Sequence, residues 1–379
     1  MDKNIKGVFP LKGVIQDYAW GGKTFLSELF NIENKEQKPF AEYWVGVHPR
    51  GVAKILVDDQ WVPLDKYRKL PFLLKILDVN QMLSIQSHPN KKQAEIGFIK
   101  EEKEGILIDA KHRIFKDDNH KPELMVAMGD FWLLHGFKSV EDIKSTIVSV
   151  PEFRDLEVQL DKGMKEFYTY LLQLDPEELS QILTPLKDRL TIEPPTDKNI
   201  PDYWAHQAFS DYGFDKGIFS IYFFNLVYLQ EGAAIYQEAG IPHAYLEGRN
   251  IEIMANSDNV FRAGLTPKHV DAEVLLAHLD FSAVTPQIIK PSDLNENEQV
   301  YISPAQEFEV RLINAKSTDY HLTTSSDECF IILDGRATIV TNQSIKEYSQ
   351  GECLFSTIGE EIIIKTASRC TLVRATLPS

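Results

Sequence analysis

Short apolar runs broken by turn residues occupy both ends of this chain, and one long stretch of helical periodicity lies between them. That order constrains the fold more than any other feature. GVAKILV (51–57) and FWLLHGF (131–137) are short and bounded by Gly, Pro or Asp, so they read as strands. From Ser139 to about Leu190 the spacing changes. Ser139 precedes an acidic first turn, and Val140, Ile143 and Ile147 recur at helical spacing. Met164, Phe167, Tyr168, Leu171 and Leu172 form a second apolar face. Asp175-Pro176-Glu177-Glu178 opens another helix, followed by Leu179, Ile182, Leu183 and Leu186. The Pro-rich segment 191–203 reads as a linker. Strand character is expected again in GIFSIYFFNLVYLQ (217–230), and a helix opened by Thr266-Pro267 with Val270, Val274, Leu275 and Leu279 on one face. From about residue 286, runs such as EFEVRLI, CFIILDG, RATIVT and EIIIKT recur at short intervals, the pattern of a sandwich or barrel. The fold class is therefore mainly β with a helical insertion, and the strands on both sides of the insertion are consistent with one barrel.

Composition narrows the partners. The 379 residues include 40 Lys and Arg against 56 Asp and Glu, a formal net charge of −16. That disfavours a nucleic-acid or anionic-membrane binder, but a small phosphorylated ligand needs only two or three local cations. Three Cys in this length argue against a disulfide framework and suit a reducing cytosol. Neither a signal-peptide run nor a stretch of ~20 apolar residues is present. A cytoplasmic protein is expected.

Four stretches are polar where a core would be apolar. In LSIQSHP, Gln86 and His88 would share one face of a strand and could both reach an ion; a polar strand end before a turn is the plainer reading. In NHKPE, Lys121 and Glu123 share a face if extended, or make an ordinary turn. Gly232 and Gly240 precede His243 in the pattern of two strands and a tight turn, placing His243 inside a barrel as a ligand or a satisfied core residue. Arg262 and Lys268 flank Gly264 and would make an anion site at a helix start, or a solvated loop. Taken together, Gln86, His88, Glu123 and His243 form a thiolate-free nitrogen and oxygen set that suits zinc.

These segments resemble type I phosphomannose isomerases, zinc enzymes of the cupin superfamily. The resemblance rests on YAWG (18–21), AEYW (41–44), His48-Pro49, PFLLK (71–75), LSIQSHP (83–89), NHKPE (119–123), IPHAYLEG (241–248) and ANSDNVFRAGLTPK (255–268), in the family's order. Similarity fades beyond about residue 271. The cupin signature G-x5-P-x-G-x2-H is matched except at Glu238, where Pro is usual. The resemblance implies two cupin-type (jelly-roll) β barrels plus a small α-helical domain. Residues 1–137 with 204–285 would be the catalytic unit, 138–203 the helical insertion and linker, and 286–379 a C-terminal barrel without metal ligands.

It also implies roles. Gln86, His88, Glu123 and His243 fall on the zinc ligands, one Zn2+ per chain, and Arg262 falls on the catalytic arginine. Lys75, Ser84 and Lys268 fall on positions associated with the substrate and its phosphate. Trp20, Lys121, Tyr245, Glu252 and Asp258 would line the pocket. The implied reaction interconverts mannose 6-phosphate and fructose 6-phosphate through a cis-enediol. The proton-shuttling base is open among Glu252, Lys121, Asp258 and Lys75. The expected partner is a small sugar phosphate, with neither nucleic acid nor membrane. The chain is expected to act as a monomer, a homo-oligomer being left open.

Overall fold

In the computed structural model, residues 5–110, 112–267, 270–316 and 319–378 are described. One strand shows how the architecture is built. Phe72–Val79 is buried at every position, yet its two faces differ. Phe72, Leu74 and Ile76 point one way, and Leu73, Lys75, Leu77 and Val79 the other, because side chains alternate along a strand. Antiparallel pairing carries this division across the sheet. Lys75 lies opposite Trp44 in Glu42–Gly46 and opposite Glu252 in His243–Ala255. Met254 lies opposite Glu123 in Glu123–Ala127, and Glu123 opposite Gln237 in Ala234–Gln237. Glu42, Trp44, Lys75, Glu252, Glu123 and Gln237 therefore share one face. The reverse face carries Tyr43, Val45, Leu74, Ile76, Ile251, Ile253, Leu124 and Val126.

The reverse face packs on a second sheet. Its nine strands run in the order Ser292–Asp293, Glu298–Tyr301, Glu309–Ala315, Cys370–Thr376, Glu328–Asp334, Cys353–Ser356, Val8–Lys12, Lys54–Val57 and Gln60–Pro63. Val310, Ile331, Phe355 and Val373 meet the first sheet's apolar residues in a common core. Three strands from the first 63 residues are thus built into the C-terminal sheet. The other face of that sheet packs Ile313, Phe330, Ile332 and Leu372 against Ile339, Ile362 and Ile364 of a four-stranded sheet.

The thirteen-residue strand His243–Ala255 changes partners along its length. Gly248 to Ala255 pair with Phe72–Val79, whereas His243 to Glu247 pair with Phe131–Phe137. The register slips between Tyr245 and Glu247. Gly248 has φ 131°, and a Cβ there would lie 2.5 Å from the Phe131 ring and 2.7 Å from the Asp130 carbonyl oxygen. Glycine permits this bend where another residue would be strained and crowded.

The helical stretch lies between Phe131–Phe137 and Phe224–Leu229. Val140–Ser149, Met164–Gln173 and Pro176–Ile192 form where the periodicity predicts them, the last with a capping box between Asp175 and Glu178. Three readings need correction. Segment 191–203 is not wholly linker: it holds the end of Pro176–Ile192 and the start of Pro201–Tyr212. Within 217–230, Gly217–Phe223 is helix and only Phe224–Leu229 is strand. Every residue of that helix is buried, so no exposed side betrays its period. Thr266-Pro267 does not open a helix. Leu265 has φ 53° and donates its N–H to Asp215 Oδ1 at 2.8 Å, fixing a turn. The helix begins at Ala272, where Asp271 caps the Val274 N–H at 3.0 Å.

Polar groups in the C-terminal core are tightly paired. Arg374, 2% exposed, donates Nε and Nη2 to Glu328 at 2.7 and 2.8 Å and Nη1 to Glu298 at 2.8 Å. Tyr320 donates its hydroxyl to Glu298 Oε2 at 2.7 Å. Arg374→Met would leave buried Glu328 without its cation and Glu298 with only Arg311 at 3.8 Å. Such broken pairs cost about 3–5 kcal/mol, so urea unfolding should show a loss of that order; a loss below about 1 kcal/mol would mean that the network carries little stability.

Candidate active site and metal centre

Three chain segments bring the metal-type donors together. His88 follows the short strand Ile85–Ser87, Glu123 begins Glu123–Ala127 and His243 begins His243–Ala255. Their ligand atoms all lie within 4.8 Å of one another, the one such group of His, Cys, Asp or Glu among the described residues. Both histidines are 0% exposed and Glu123 is 1% exposed. His88 Nδ1 faces the Asn259 carbonyl at 2.8 Å, and His243 Nδ1 faces the Ile241 carbonyl at 3.0 Å. A carbonyl only accepts, so each Nδ1 carries the proton and each Nε2 presents a lone pair. Those two Nε2 atoms and Glu123 Oε2 are buried without hydrogen-bond partners. They converge, at 3.6 Å for His88 to Glu123 Oε1 and 3.4 Å for His243 to Glu123 Oε2. Converging buried lone pairs without donors fit a divalent cation, and the outward N–H bonds orient the rings as metal-binding imidazoles are oriented.

The charge states agree with that fit. Burial pushes His88 down to about 4, helped by the Lys121 ammonium. Burial would raise Glu123, but Lys121 and the two histidines outweigh it and hold the carboxyl well below its usual range. Lys121 Nζ lies 2.7 Å from Glu123 Oε1. At neutral pH His88 is therefore neutral and Glu123 ionised, the forms that bind metal.

A cavity of about 500 Å³ opens above these residues. Its lining includes Gln86, Glu123, Lys121, Lys75, Ser84, Tyr245, Glu252, Asp258, Arg262 and Trp20, so every described site residue from the sequence except the two buried histidines reaches it. Lys268 lies outside the described residues. Gln86 is register partner to both His243 and Arg262, which sets all three side by side on one face. Lys75 Nζ lies 2.7 Å from Glu252 Oε1 and 3.7 Å from Glu42 Oε2, and Tyr245 donates to Glu252 Oε2 at 2.8 Å. Burial works against the Lys75 ammonium, but the nearby carboxylates outweigh it and its pKa is raised. Burial raises Glu252, opposed by Lys75. Asp258 lies 3.3 Å from Arg50 and 3.5 Å from His48. Arg262 has a buried Nε without a partner, and burial followed by repulsion from Arg50 lowers its pKa.

Some contributors carry no signal of their own in the sequence. Glu42 and Arg50 lie in or beside quoted motifs, yet only the register and the fold show that they face the cavity. His135, opposite His243, and Gln237, opposite Glu123, bond to each other at 2.8 Å beside the metal-type group. His135 sits in a run that reads as ordinary strand, and Gln237 within the stretch 232–243 without standing out there.

The comparisons agree with the geometry. Residues 8–140 match the family described as "Phosphomannose isomerase type I, catalytic domain". The mannose-6-phosphate isomerase of Escherichia coli (strain K12) is 33% identical over 370 residues, covering 91% of this chain and 94% of that protein. The Rattus norvegicus mannose-6-phosphate isomerase is 33% identical over 413 residues, with 94% and 95% covered. Among solved structures, the Salmonella typhimurium mannose 6-phosphate isomerase bound to fructose 6-phosphate and zinc superposes with TM-score 0.87 at 32% identity, covering 98% of this chain and 100% of that one.

Two buried histidines give the fold a defined acid sensitivity. Burial lowers His135 to about 4; burial, partly opposed by Asp258, lowers His48 to about 4. The unfolded chain titrates near 6.5, so between these values it binds more protons than the folded one. The stabilisation is complete above about 6.5 and is lost as the pH falls towards 4. Urea unfolding at pH 7 and pH 5 should show lower stability at pH 5, with part of the difference absent in His135→Gln. Equal pH dependence in wild type and variant would remove His135 from this account.

Proposed function

Because the chain belongs to the type I phosphomannose isomerase family, we propose that it interconverts mannose 6-phosphate and fructose 6-phosphate in the cavity above His88, Glu123 and His243, with one zinc ion per chain. The observation that carries this reading is the charge pattern of that cavity. Lys75 is matched by Glu252, Lys121 by Glu123 and Arg50 by Asp258. Among the described lining cations, Arg262 alone has no carboxylate partner, and it stands beside Gln86 and the buried donors. An unmatched guanidinium held against a metal-ready group suits a reaction that builds negative charge on neighbouring oxygens.

The isomerisation moves a carbonyl between C1 and C2, so a proton leaves one carbon and is returned to the other through a cis-enediol. His88, Glu123 and His243, with Gln86 as a fourth donor, would hold the zinc, which when bound supplies Lewis-acid polarisation. Arg262 stabilises the developing oxyanion electrostatically. Lys75, raised by its two carboxylates, stays protonated and holds Glu252 in place. Glu252 is our reading for the shuttling carboxylate, because burial raises it and a donor contacts each of its oxygens. Lys121 holds Glu123, and Asp258 takes a sugar hydroxyl. Trp20, stacked with Tyr18 at 6.0 Å, covers one side of the sugar, and Ser84 and Lys268 receive the phosphate. We read the site-bearing sheet as a jelly-roll barrel of the cupin type and the C-terminal sheets as a second, without catalytic groups. The setting is a cytosolic, monomeric enzyme feeding mannose activation or breakdown.

An NMR assay with fructose 6-phosphate tests the reaction and metal together. Mannose 6-phosphate should appear, stop on chelation and resume with zinc; turnover indifferent to chelation would reject the metal assignment. Arg262→Ala should lower kcat by about 10²–10³ with zinc content unchanged, and an unaltered kcat would reject its catalytic role.

A further inference from the structure

Asn259 is fully buried and uses its whole amide. Its Oδ1 accepts the Lys116 N–H at 2.7 Å, and its Nδ2 donates to the carbonyls of Asp117 and Asn119, each at 2.8 Å. Its own N–H donates to Ser257 Oγ at 3.2 Å, and its carbonyl accepts from His88 Nδ1 at 2.8 Å. Asp117 extends the same knot: Oδ1 accepts from Ser257 and the Asn119 N–H, and Oδ2 accepts the Asp258 N–H at 2.7 Å. One side chain therefore ties together segment 116–119, which leads into Lys121 and Glu123, and segment 256–259, which leads into Arg262. Its main chain adds His88.

We propose that Asn259 is a positioning residue of the metal centre: its amide fixes the direction of its own carbonyl, and that carbonyl sets the tautomer and ring plane of His88. Three amide contacts hold the peptide so that its carbonyl keeps the His88 proton on Nδ1 and the Nε2 lone pair faces Glu123. Without the amide, the segment is free to turn the carbonyl away. His88 then loses its acceptor and its fixed orientation, although nothing that touches the ion has changed. The inference rests on the metal centre proposed above, but its readout is metal binding rather than isomerase turnover.

Asn259→Ala removes all amide contacts. Asn259→Asp keeps the volume and an acceptor for Lys116 but loses both donors. Zinc affinity would be measured by competition with a chromophoric chelator, and the ligand field by the visible spectrum of the cobalt(II)-loaded proteins. Both variants should bind zinc about 10–100-fold more weakly than wild type, and their cobalt bands should weaken or shift. Should the alanine variant fail to fold, the isosteric aspartate variant carries the test. Variants with a lowered melting temperature but wild-type zinc affinity and cobalt spectrum would reduce Asn259 to a purely structural residue and overturn the proposal. Wild-type protein that binds zinc but converts neither sugar phosphate would overturn the proposed reaction and leave the Asn259 comparison readable.

Discussion

A buried carboxylate governs this molecule. Glu123 is 1% exposed and ionised, and an isolated charge so placed would cost far more than a protein's net stability. It is tolerable because the Lys121 ammonium lies at 2.7 Å; two imidazoles converge on the same carboxylate. Each of those groups needs its own support: His88 uses the Asn259 carbonyl, and His243 the Ile241 carbonyl. The demand for polar partners thus spreads outward from one residue and draws in loops far apart in the sequence.

The sheet that carries Glu123 reconciles this with a stable core by giving its faces opposite characters. The period of two puts Leu124 and Val126 into an apolar layer while Glu123 stays on the polar side. A slip of one residue in any strand would exchange the faces, placing carboxylates in the core and leucines at the cavity. The register is therefore both a packing and a chemical constraint. The bend at Gly248 lets one strand serve two regions, with His243 at the metal-type group and Glu252 near Lys75.

Much of the site was legible because its residues sit in short motifs whose local spacing matters. Gln86 and His88 two apart, and Lys121 and Glu123 two apart, keep their relation in any extended backbone. The partnerships of Glu42, Arg50, Gln237 and Asn259 were not legible, since they depend on which strands lie side by side. The helices of 140–192 were readable because one side of each is exposed and the other buried. Gly217–Phe223 defeated the same reasoning, being buried all round. At Thr266-Pro267 a plausible helix start was overruled by Asp215, fifty residues away in sequence, which accepts the Leu265 N–H.

The strand Val8–Lys12 lies between Lys54–Val57 and Cys353–Ser356. The Gly7 N–H reaches the Thr357 hydroxyl at 3.0 Å across a sequence separation of 350 residues. A chain emerging from the ribosome meets one neighbour of this strand soon after it and the other only hundreds of residues later. Until then Val8–Lys12 has an open hydrogen-bonding edge, and the apolar reverse face of the site-bearing sheet lacks its cover. Completion of that sheet therefore waits for strands that lie hundreds of residues downstream, and until they emerge these adhesive surfaces stay unsealed.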